Sequence, residues 1–108
     1  NESSVDELAI YIQRENTIRA RTKSGPASRT SSLCEALPRA TCRIGGIWGE
    51  LDATAIGHLE ARRELFDEIQ PGAPFHVIPG AGHWVAYEAP DLFVEALRAC
   101  IAAYESER

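Results

Sequence analysis

The sequence predicts an α/β fold built on a parallel sheet. The apolar patterns after residue 41 run strand, helix, strand, helix; both strands run into glycine-bearing loops; and the last segment carries a long apolar stripe at helical spacing. A strand, a crossover helix and a second strand in one sheet give parallel strands with a right-handed connection. Parallel sheets are covered on both faces, and two strands alone are marginal. Residues 41–108 are therefore expected to need further strands beside them.

The elements follow in order. Ser4-x-x-Glu7 is a capping-box pattern, and Val5, Leu8, Ala9 and Ile12 follow at helical spacing, which predicts a helix over residues 4–21 with a charged, solvated far half. The breaker-rich stretch Ser24-Gly25-Pro26-Ala27-Ser28, continued by Arg29-Thr30-Ser31-Ser32, reads as a connection. A second capping box, Ser32-x-x-Glu35, predicts a short helix from Leu33 to Leu37, stopped by Pro38. Cys42 to Trp48 reads as a strand in which Gly45 and Gly46 pack nothing themselves. After the loop Gly49-Glu50-Leu51-Asp52, residues 54–69 predict a helix with Ile56, Leu59, Leu65, Phe66 and Ile69 on one face, ended by Pro71-Gly72. Phe75 to Ile78 is a short strand and residues 79–82 a loop. Pro90 opens a last helix whose apolar stripe is Leu92, Phe93, Ala96, Leu97, Cys100, Ile101 and Tyr104.

Composition excludes several functions. A formal net charge of −5, with no basic patch, argues against nucleic acid or an anionic membrane as partner. No apolar run approaches the roughly 20 residues of a membrane span. The polar start Asn1-Glu2-Ser3-Ser4 carries no leader pattern and suits an internal piece of a longer protein. Cys34, Cys42 and Cys100 are odd in number and form no C-x-x-C motif, so they read as free thiols and the expected compartment is cytoplasmic. No metal-ligand spacing involves His58 or His76, which read as an ordinary helix residue and an ordinary strand residue.

The chemistry gathers at the two strand ends. Asp52 follows the first strand and His83 the second, and sites in open α/β sheets collect beyond the carboxyl ends of the strands. Neighbouring strands lie about 4.8 Å apart, so an Asp–His hydrogen bond of about 2.6–3.2 Å is expected. Such an acid fixes the imidazole tautomer and stabilises the imidazolium formed when the ring takes a proton. Gly80 and Gly82 are expected to supply the tight backbone, with φ > 0, that aims the histidine. Each residue also has an ordinary reading: Asp52 as the cap of the helix opening near Thr54, and His83 as a loop histidine. Glu50 reads as a solvated loop residue or a second acid, Trp48 and Phe75 as core, and Cys34 as a poor nucleophile.

The segments IWGELDATA and PGAPFHVIPGAGHWVAYEAPDLF resemble the C-terminal end of an α/β-hydrolase. The resemblance spans residues 41–104 and is nearest to carbon–carbon hydrolases of ring-fission products and related esterases. It implies Asp52 as triad acid, His83 as base and Trp84 as a substrate-binding aromatic in the pocket wall. It further implies that residues 1–40 are the end of a helical cap region and linker, and residues 41–108 the C-terminal βαβα part of the hydrolase core. The implied enzyme is cofactor-free and acts on small ester or ketone substrates. The G-x-S-x-G nucleophile elbow of that family is absent, and Ser3, Ser4, Ser24, Ser28, Ser31, Ser32 and Ser106 do not fall in such a pattern. The implied partner is therefore the rest of a hydrolase core, with a homodimer as a further option; an Asp nucleophile also remains open. The rival reading is a non-catalytic interaction or dimerisation module built on the hydrolase scaffold.

Overall fold

The computed structural model describes residues 2–22, 25 and 30–106. Its contacts divide the chain into two units, Glu2–Ala40 and the residues from Thr41 onward. Among the described residues no helix is long and apolar enough to cross a membrane.

In the first unit, helix α1 (Glu7–Arg19) is capped by Asp6, whose carboxylate accepts the Ala9 amide at 2.8 Å. This corrects the expected Ser4 cap. Residues Glu2–Ser4 form a 3₁₀ turn instead, closed by the Val5 amide on the Glu2 carbonyl, which leaves Asp6 as the acceptor nearest the free amides. The expected apolar stripe is not buried: Ala9 is, but Val5 and Leu8 are exposed. The charged end is as foreseen, with Arg19 paired to Glu15 at 2.8 Å. Of the predicted connection, residues 24 and 26–29 lie outside the described residues. Helix α2 (Ser32–Ala36) starts one residue early, after Ser31, whose hydroxyl bonds the Glu35 carboxylate. Pro38 does not stop the chain outright; it sits in the first turn of a 3₁₀ segment, Leu37–Arg39, where a missing N–H costs nothing.

The second unit is α/β. Strands β1 (Gly46–Gly49) and β2 (Phe75–Ile78) are parallel, with Gly46 opposite Phe75 and Gly49 opposite Ile78. The crossover is helix α3 (Leu59–Ile69), and β2 is followed by a short helix α4 (Val85–Glu88) and a long one, α5 (Pro90–Glu105). β2 lies where the sequence put it; β1 does not. Its first expected residues, 42–45, stay outside the ladder, and the Gln70 side-chain amide rather than a strand meets Cys42 and Ile44 there. That amide accepts the Ile44 N–H at 3.1 Å and donates to the Cys42 carbonyl at 2.8 Å. Helix α3 likewise starts late. Gly57 has φ +78, a left-handed conformation that a continuing helix cannot contain, so residues 53–57 form turns and Ile56 is exposed rather than on the apolar face.

The two faces of the sheet are covered differently. Trp48 and Phe75 share one face, their rings stacked 4.9 Å apart, and Phe66 of α3 meets both edge-on at 5.5 and 5.7 Å. Gly46 makes room for this: a Cβ there would collide with the Trp48 ring and come within 2.7 Å of Phe75. Gly46 is thus the floor beneath an aromatic cluster, whereas Gly45 lies against Pro74 and Cys100. On the other face Ile78, Ala81 and Ala96 of α5 are buried together, with Ile47, Val85 and Ala89 packed against them. Only part of the α5 stripe is used. Ala96 is buried and Phe93, Cys100 and Tyr104 are half-buried, but Leu92, Leu97 and Ile101 are exposed, contrary to the expected continuous stripe. Two strands offer too narrow a surface to cover it.

Candidate active site

β1 and β2 both run out at the same edge, and the loops beyond them touch. The Glu50 amide still follows the strand ladder, donating to the Ile78 carbonyl at 3.0 Å, and the Leu51 amide donates to the Ala81 carbonyl at 2.8 Å. Gly49 permits this approach: a Cβ at that position would overlap the carbonyls of Gly82 and Ala81. Gly80 takes φ +67, which turns the chain after Pro79; Gly82, expected to do likewise, has no positive φ.

This approach sets Asp52 against His83. Nδ1 of the ring lies 3.0 Å from Oδ1 and 3.1 Å from Oδ2 of the carboxylate. An ionised carboxylate only accepts, so Nδ1 carries the proton and donates. Asp52 is 4% exposed, whereas the His83 side chain is 63% exposed. The buried carboxylate accepts two further bonds at 2.8 Å, from the Thr54 amide and the Thr54 hydroxyl. Burial alone would raise the Asp52 pKa; the hydrogen bond from His83 and those from Thr54 outweigh it and hold the carboxyl below its ordinary value. The expected helix cap is not what Asp52 forms, since α3 opens only at Leu59; its side chain holds the Thr54 amide and its carbonyl accepts the Ala55 and Ile56 amides in a turn. The same carboxylate anchors a turn and orients an imidazole. With Nδ1 engaged, Nε2 is left for a reacting group, and an imidazole so held can take a proton there.

The remaining candidates are dispersed. Trp84 follows His83, half-buried, with its ring 6.1 Å from that of Tyr87, and a shallow depression beside His83 is lined by Trp84, Val85, Ala86 and Tyr87. His58 precedes α3 without capping it, and His76 lies on β2. Burial pushes the Cys100 thiol up, away from the thiolate a nucleophile needs, and Cys34 and Cys42 are exposed free thiols. No group of three His, Cys, Asp or Glu residues among the described residues is arranged to hold a metal ion. Among the described serines, Ser31 bonds Glu35, Ser32 contacts the Thr30 hydroxyl and Ser106 donates to the Ala103 carbonyl; none stands in a strand-to-helix turn. Ser24 and Ser28 lie outside the described residues.

Three contributors were not foreseen. Thr54 was signalled by Asp52-x-Thr54, an Asx-turn spacing. Glu50, expected to be solvated, is exposed but its carboxylate accepts the Gly80 amide at 2.9 Å. Glu88 accepts two amides of the histidine loop, and no periodicity announces it. No protein-family model matches the chain, and no curated protein or solved structure matches it significantly.

Proposed function

We propose that the chain supplies the acid and the general base of a hydrolytic active site, as the C-terminal part of an α/β-hydrolase acting on small esters or ketones. The observation that carries this reading is the buried Asp52 carboxylate bonded to Nδ1 of an imidazole that stands mostly in solvent. In such a site Nε2 of His83 takes the proton of a nucleophile as it attacks a carbonyl, then returns it to the leaving group. Asp52 keeps the ring in the Nδ1–H tautomer and stabilises the imidazolium between those steps. The G-x-S-x-G elbow is not in this sequence, so the nucleophile comes from another segment or chain. Trp84 forms the wall against which the substrate lies.

The test is made on the complete product of the gene that encodes the chain, with p-nitrophenyl esters and a 1,5-diketone as substrates. Turnover is expected to fall about 10³–10⁴-fold in His83→Ala and in Asp52→Asn. A complete product that hydrolyses neither class, or whose turnover survives His83→Ala, removes the reading and favours an interaction module instead.

A further inference from the structure

Glu88 is the last residue of α4, and its carboxylate turns back onto the histidine loop. One oxygen accepts the Gly82 amide at 3.0 Å and the other the Trp84 amide at 3.2 Å. The residues on either side of His83 thus share one carboxylate. Trp84 precedes α4, so its amide has no intrahelical acceptor and needs one from outside the ladder. Bonds from amides to an ionised carboxylate are roughly twice as strong as neutral ones. Gly82 is buried and Glu88 half-buried, which shields the bonds from competing water, whereas the matching brace from Glu50 to Gly80 is exposed. An imidazole that is 63% exposed receives little direction from packing; its backbone and Asp52 must supply it.

We propose that Glu88 is a positioning residue for His83. By fixing the amides of residues 82 and 84 it aims Nδ1 at Asp52 and turns Nε2 outward. The proposal rests on the reading of Asp52 and His83 as acid and base, and it assigns Glu88 no contact with substrate.

The measurement is the imidazole ¹⁵N spectrum of the full 108-residue chain, labelled at histidine, at a pH where the rings are neutral. In the unmodified chain His83 is expected as the Nδ1–H tautomer. Glu88→Ala should lose that preference and give a mixture of tautomers, while the His58 and His76 signals stay in place as internal controls of folding. Glu88→Gln keeps one carbonyl acceptor and sets an NH₂ group against the other amide, so it should fall between the two, and it decides the matter alone if Glu88→Ala does not fold. An unchanged His83 tautomer in the folded Glu88 variants, with the preference lost in Asp52→Asn, overturns the role of Glu88 and leaves the pair intact. A His83 signal that is mixed from the start and indifferent to Asp52→Asn overturns the pair itself, and the role of Glu88 with it.

Discussion

Asp52 joins a turn to an imidazole, and its titration should report both. Its carboxyl is held below the ordinary aspartate value in the folded chain, so over that interval the unfolded chain binds more protons than the folded one. The stabilisation is fully present above the ordinary aspartate value and is lost as pH falls through the lower, folded value. Thermal melts of the chain and of Asp52→Asn should therefore differ most at neutral pH and converge in acid; a gap that widens on acidification contradicts the assignment. Gly49 is the second decisive residue. In Gly49→Ala a methyl group overlaps the Gly82 and Ala81 carbonyls, which must retreat. The cost should be about 1–3 kcal/mol by denaturant unfolding, in the range of overpacked sites, with the Asp52–His83 hydrogen bond lost from the histidine ¹⁵N spectrum. Both Asp52 and His83 were legible as residues because each follows an apolar run that ends in a glycine-bearing loop. Glu88 and Glu50 were not, because a side chain reaching for backbone amides in another loop leaves no trace in periodicity or spacing.

The elements show the same division between local and distant causes. β2 and the start of α5 were legible to the residue, since Pro74, Pro79 and Pro90 bound them and proline acts on its own neighbours. β1 was misread at its start, where Gln70, on the far side of the crossover helix, rather than a strand meets Cys42 and Ile44. Gln70→Ala should release that stretch and cost about 1–3 kcal/mol, two hydrogen bonds of roughly 0.5–1.5 kcal/mol each. Hydrogen exchange at the Ile44 amide, fast in the variant and slow in the parent, is the direct check. Ile78, 5% exposed at the centre of the α5 face, belongs to the packing rather than the chemistry. Ile78→Ala should lower stability by about 2–5 kcal/mol through the cavity it leaves, as read from equilibrium urea unfolding.

At the scale of the molecule, α3 and α5 each cover a face of a sheet that has only two strands among the described residues. That leaves Leu92, Val94, Leu97 and Ile101 of α5 exposed, more apolar surface than a short sheet can hide. The α/β class was legible because it depends on the order of elements; how much of each helix would be covered was not, because that depends on the width of the sheet. Under the proposed function the nucleophile is not among these residues. The 108-residue chain by itself is expected to hydrolyse p-nitrophenyl acetate no faster than its His83→Ala variant, and turnover well above that control would require a nucleophile among its own residues.

The two tryptophans divide the molecule optically. Trp48 is stacked on Phe75 within the core, and Trp84 stands beside His83 at the rim of the depression. Emission from Trp48 should shift to the red only when the chain unfolds, while Trp84 should already be open to acrylamide quenching in the folded state. With Trp84→Phe the remaining fluorescence becomes a pure reporter of folding. With Trp48→Phe it reports on whatever settles next to the histidine, so occupancy can be followed without a turnover assay.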